Sequence, residues 1–207
     1  LEGRVVKTKP FLLFLVLLFP LMARAQLTEA EFLKATQNFE ARHSLLIARE
    51  FLPRQSIIPV TTFWKKEVKD YPAGAWTSTQ NGSVFVTIAG WVVRLPGASS
   101  DDVDFILCHE VGHQVASRSG LAIERAADTF AVRDCLSLIW GERDFKKRVE
   151  HVAEYSWVVR NHYYQRSSNR PYDRNKCTIR LMLEAAAGKV HAESELLACD
   201  RTIHLAE

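Results

Sequence analysis

The residues with the most chemistry to offer lie in two short runs. They are Cys108-His109-Glu110-Val111-Gly112-His113 and Glu124-Arg125-Ala126-Ala127-Asp128. The first contains His-Glu-x-x-His. On a helix, positions four apart share a face, so the rings of His109 and His113 can grip one ion. Glu110 then lies beside the open coordination position, where a carboxylate can take a proton from metal-bound water. That is the chemistry of metal-assisted hydrolysis.

The second run completes the constellation. An antiparallel helical hairpin centred between Arg118 and Ser119 sets His113 opposite Glu124 and His109 opposite Asp128. Glu124 is therefore expected as the third ligand. Asp128 is expected on the other ring nitrogen of His109, where it fixes tautomer and orientation. Two imidazoles and one carboxylate leave a tetrahedral position for water, as catalytic zinc requires, whereas a structural site would be closed and usually cysteine-rich. The plainer reading of Glu124 and Asp128, a solvated acidic helix face, does not account for their shared register with the histidines.

These residues resemble a known group. The chain is similar to the gluzincin metallopeptidases, in which His-Glu-x-x-His is followed by a glutamate ligand on a second helix. Glu124-Arg-Ala-Ala-Asp128-Thr-Phe-Ala131 resembles the Glu-x-x-Ala-Asp-x-x-Ala segment of zinc endopeptidases related to the CAAX prenyl proteases. It also resembles small exported bacterial proteins with a cysteine before the first motif and another after the second, matching Cys108 and Cys135. The likeness covers about residues 84–136. The interval from His113 to Glu124 is shorter than in thermolysin-like enzymes, so the connection must be minimal. Ala116 and Ser119 stand where a metzincin would carry its glycine and third histidine, which excludes that branch. The resemblance implies a peptide or protein substrate held in extended form along an edge strand, and Ser83–Leu95 is the strand upstream of the helix.

The elements that must position the site can be read around it. Thr28-Glu29-Ala30-Glu31 is a capping box opening a helix that runs to about Leu52, before Pro53, with Phe32, Phe39 and Leu46 as its buried stripe. Gln55–Val60 suggests a short strand that Pro59 confines to an edge or end. A polar, aromatic-rich connection with turn signals at Pro72, Gly74, Asn81 and Gly82 leads to the longer strand, with Gly90 as a bulge. Ser99 or Ser100 caps the motif helix, and Asp101, Asp102 and Asp104 suit the positive end of its dipole. After a break at Ser117–Gly120, a second helix reaches Trp140, with Gly141 at its C-cap. A third runs from about Arg143 to Tyr164, and a last pair folds about Gly188. The fold class expected is α+β, mostly helical, with a small sheet. On the third helix His151, Tyr155, His162, Tyr163 and Tyr164 are candidates to stabilise an oxyanion, though packing roles suit each of them better.

Composition is that of a globular protein, 47% hydrophobic and 25% charged. Lys7 and Lys9, the apolar run Phe11–Met22 and Ala23-Arg24-Ala25 read as a signal peptide over residues 1–25, leaving one metallopeptidase domain over 26–207. Its removal takes Arg4, Lys7, Lys9 and Arg24 against Glu2, so the formal charge of +3 falls to zero. That balance favours neither nucleic acid nor a membrane surface. An exported address, periplasmic or extracellular, fits the even number of cysteines. Four cysteines allow three connectivities, and the sequence does not choose among them. If the last two helices fold about Gly188, Cys177 and Cys199 face each other. That would leave Cys108 and Cys135 to pair by elimination, although a straight hairpin leaves these six residues, about 9 Å of rise, out of register. The expected function is an exported zinc endopeptidase with Zn2+ on His109, His113 and Glu124. A zinc amidohydrolase acting on cell-wall peptides and a non-catalytic zinc-stabilised binding protein are the alternatives. Glu110 argues against the last, because holding metal does not require it.

Overall fold

The computed structural model describes residues 26–48, 58–67, 69–71, 74–80, 83–115, 123–167 and 177–204. The expected signal peptide, the helix end at Pro53, most of the Gln55–Val60 strand and the break at Ser117–Gly120 lie outside them. The fold is α+β, with a three-stranded mixed sheet among helices.

Helix α1 (Glu29–Ala48) opens as its sequence dictates. The Thr28 N–H donates to Glu31 Oε2 at 2.9 Å, and the Glu31 N–H donates to Thr28 Oγ1 at 3.3 Å. Two backbone donors that helix geometry would leave unpaired are thereby satisfied. Phe32, Phe39 and Leu46 are fully buried. Each contributes about 1.5–3 kcal/mol of apolar transfer.

Strands β1 (Val60–Phe63), β2 (Ala75–Gln80) and β3 (Ser83–Ala89) form a sheet in the order β1-β3-β2. β1 runs parallel to β3, and β2 antiparallel. Val84, Val86 and Ile88 of β3 are buried while Phe85 and Thr87 are half-buried, the alternation of a sheet packed on one face. Three expectations change. β3 ends at Ala89 instead of Leu95, because Gly90–Val93 turns into a 3-10 helix. Gly90 marks a close crossing and not a bulge: a Cβ there would lie 2.3 Å from the carbonyl oxygen of Trp64. The connection before Ser83 contains β2, which takes one edge of the sheet. β3 is therefore paired on both sides and cannot accept a substrate strand.

Helix α2 (Ser100–Val115) carries the first motif through the middle of the molecule. It touches α1, both β2 and β3, and the later helical segments 123–136 and 145–167. The Ser99 N–H donates to Asp102 Oδ2 at 2.7 Å, closing its N-terminus. Val103, Phe105, Leu107 and Val111 are buried, and so are Asp102, Asp104, His109 and Glu110, so little of this helix faces water. After the connection, α3 (Ile123–Phe130) passes into a π-helical turn at Ala131–Leu136 and then α4 (Ser137–Trp140). Gly141, at φ 68°, ends the run where a C-cap glycine was expected. Helix α5 (Phe145–Ser167) lies along α2, and α6 (Cys177–Ala186) and α7 (Glu193–His204) close the chain. Among the described residues, no helix is long and apolar enough to cross a membrane.

Both disulfides are present, Cys108–Cys135 and Cys177–Cys199, with Cα separations of 5.8 and 5.7 Å. The straight-hairpin register overstated the distance between the first pair. Cys135 sits inside the π-helical turn, whose wider winding alters the phase of the residues that follow Phe130.

Candidate metal centre

The two helices can approach closely because Gly112 has no side chain. A Cβ there would stand 2.9 Å from the Ala127 Cα and 3.1 Å from a Phe130 ring carbon. This contact sets His109 and His113 on one arm against Glu124 and Asp128 on the other. The two imidazoles meet edge to face, with ring centroids 4.6 Å apart. Glu124 spans them: Oε2 is 3.4 Å from His109 Nε2, and Oε1 is 3.5 Å from His113 Nε2. The Nδ1–H of His109 donates to Asp128 Oδ1 at 2.8 Å. The hairpin register read from the sequence thus brings together the four residues it paired.

No known protein family, curated protein or solved structure matches the chain. What the residues can do must be argued from the site itself.

Ligand atoms of His109, Glu110 and His113 lie within 4.8 Å of one another, and this group could hold a metal ion. Glu110 and Glu124 thus both stand near the rings, but in different settings. Glu110 is buried, and that burial pushes its carboxyl up to about 7; the charge of Glu124 adds to this, and those of His109 and Arg160 oppose it. Half of the Glu124 side chain meets solvent, yet its carboxylate lies against both rings. Burial would raise it, but the hydrogen bond and charge of His109, with Arg160 and His113, hold it down at about 2. Burial also opposes charge on His109, but hydrogen bonds to Asp128 and Glu124 outweigh it and hold the ring up at about 10. His113 is pushed down to about 4, by burial and then by His109. The space between the carboxylates favours positive charge, and one imidazole stays neutral as a donor. Those are the conditions a divalent cation needs. Imidazole nitrogens with a carboxylate suit a first-row divalent cation, and both nearby cysteines are committed to the disulfide, leaving no thiolate to close the shell.

Asp128 has no solvent exposure. A carboxylate so placed is costly unless paired, and here it is paired heavily. Burial would raise it, but Arg160 and His109 hold it far below the usual carboxylate range. Arg160 Nη1 donates to Oδ2 at 2.7 Å and Nη2 to Oδ1 at 2.6 Å, while Arg125 Nη1 donates to Oδ2 at 3.2 Å. Neither arginine stood out in the sequence. The signal was indirect: a buried carboxylate between helices needs a cation, and Arg160 directly follows the apolar run Trp157-Val158-Val159 of α5.

Two of the oxyanion candidates on α5, His151 and Tyr155, are engaged with other groups. His151 Nε2 lies 3.0 Å from Asp102 Oδ2 and 3.1 Å from Ser99 Oγ, at the N-terminus of α2. The Tyr155 hydroxyl donates to the Val92 carbonyl at 2.8 Å. The ring of His162 lies against Trp91, and Tyr163 is half-buried. The side chain of Tyr164 lies outside the described residues.

Proposed function

We propose that the chain is an exported zinc metallopeptidase of the gluzincin type, in which His109, His113 and Glu124 hold the ion. The observation that supports this most is the meeting of both Nε2 atoms on the two oxygens of one carboxylate, Glu124, with Glu110 beside them. Zinc bound there would act as a Lewis acid on the scissile carbonyl. Asp128 accepts the Nδ1–H of His109, so Nε2 faces inward and would present its lone pair to a metal that displaces its proton. Glu124 takes the ligand role because it faces both rings and is held ionised. Glu110, beside both rings, takes a proton from the attacking water and returns it to the leaving amine. The sheet offers β2 as an edge beside α2, where an extended peptide can pair by strand addition. The two disulfides suit an oxidising compartment, consistent with export.

The test is zinc analysis together with cleavage profiling on a mixed peptide library, for the native protein and Glu110→Gln. Zinc should be retained in both, and cleavage should fall by about 10²–10⁴-fold in the variant. Equal cleavage by both proteins refutes the role of Glu110. Zinc in neither refutes the site. Adding peptidoglycan stem peptides to the library separates endopeptidase action from hydrolysis of cell-wall amides.

A further inference from the structure

We infer that Arg160 is a positioning residue of the metal centre, which α5 delivers to lock Asp128, and through it His109, in the metal-binding orientation. This rests on the zinc-site reading above and assigns the site a third wall.

Asp128 receives donors from three directions. Arg125 belongs to the same helix, three residues earlier, so it travels with Asp128 and cannot fix it relative to α2. Arg160 comes from α5 and grips both oxygens of Asp128 in a fork, the geometry that matches guanidinium to carboxylate most closely. The same guanidinium lies 3.9 Å from Glu124 Oε2 and 3.5 Å from His109 Nδ1. One side chain thus sets the spacing of both carboxylates that face the histidines.

Arg160 can do this because α5 is anchored along the motif helix before it reaches the site. Arg148 grips Asp101 with two hydrogen bonds, at 2.8 and 2.6 Å. Three residues on, His151 meets Asp102, and four further on Tyr155 meets the Val92 carbonyl. From Arg148 to Arg160 is twelve residues of helix, about 18 Å. The contacts at the head of α2 therefore fix where the guanidinium lies at the metal end.

The experiment compares the full chain with Arg160→Met and Arg160→Lys, reading zinc affinity by chelator competition and the rise in melting temperature on adding zinc. Losing an outer partner of a ligating histidine lowers metal affinity by about 10–100-fold. Arg160→Met should show such a loss and a smaller zinc-induced rise. Arg160→Lys, which keeps the charge without the fork, should fall between it and the native protein. A role in packing alone would lower the melting temperature with and without zinc equally and leave affinity unchanged, which would overturn the inference. Native affinity in both variants overturns it and leaves the zinc site standing. Zinc bound by none of the three proteins removes the site and this inference with it.

Discussion

Two helical hairpins in this protein are closed by disulfides of similar span, with sequence separations of 27 and 22 residues. They hold different things. The first ring, Cys108–Cys135, encloses His109, Glu110, His113, Glu124 and Asp128 and buries polar side chains at its centre. The second, Cys177–Cys199, encloses a small apolar cluster with Leu181 and Leu196, which rests on Ala126 of α3. Its charged residues sit at the rim, where Lys189 bonds Glu184 and Glu195. The same covalent device sets the geometry of the candidate metal site in one hairpin and supports the back of that site in the other. Loop-closure entropy makes the two bonds nearly equal in stability; function should separate them.

Breaking each ring tests this most strongly. Paired replacement Cys108→Ala with Cys135→Ala, or Cys177→Ala with Cys199→Ala, should each cost about 3.5 kcal/mol in denaturant unfolding. Only the first pair should also weaken zinc binding in chelator competition. Equal loss of zinc from both would abolish the distinction between the hairpins.

A smaller effect comes from the glycines. Gly112→Ala forces a methyl into the backbone of Ala127 and should cost about 1–3 kcal/mol as overpacking, with lower zinc affinity because α2 and α3 are pushed apart. Gly188→Ala meets no atom within 4 Å but must hold φ at 85°. It should cost about 1–2 kcal/mol and leave zinc binding intact. A zinc defect in Gly188→Ala would show that the tail tunes the site.

The smallest effect is a difference of sign with pH. Burial pushes Asp104 up to about 6, opposed by the hydrogen bond from Trp140. Between its ordinary value and 6 the folded chain holds a proton that the unfolded chain lacks. Stability from this group therefore rises by about 1 kcal/mol as pH falls from about 7 to about 5. Glu184 and Glu195 are held down by Lys189, so their contribution is lost as pH falls. Asp104→Asn, neutral throughout and still an acceptor for Trp140, should remove the rise; melting curves across that range read it directly. An unchanged pH profile in the variant would assign the rise to another group.

The site was legible in the sequence where periodicity governs. His109, His113, Glu124 and Asp128 meet because helical spacing and one antiparallel fold-back determine which residues oppose which. What escaped has physical reasons. Arg160 reaches the site from a third helix, 32 residues beyond Asp128, and no local pattern encodes that contact. β2 lacks the apolar alternation of β3: Ala75-Trp76-Thr77-Ser78 ends at an exposed serine on an edge strand, so it reads as a connection. The π-helical turn carries no composition signal of its own, and the pairing of Cys108 with Cys135 looked strained without it. Gly90 reads as a bulge in the sequence, because the crossing backbone of Trp64 that requires it is a tertiary fact.

The order of the cysteines along the chain has a further consequence. First joins second and third joins fourth, so the two rings neither overlap nor nest. A chain threaded into an oxidising compartment from its N-terminus meets each partner in turn. Cys108 has only Cys135 to pair with until Cys177 arrives, and the first ring can close before a wrong choice exists. Domains generally fold in the order in which they emerge, and disulfide reshuffling takes seconds to hours. In a chain exported as proposed, consecutive pairing would let oxidative maturation follow the direction of translocation without a round of isomerisation.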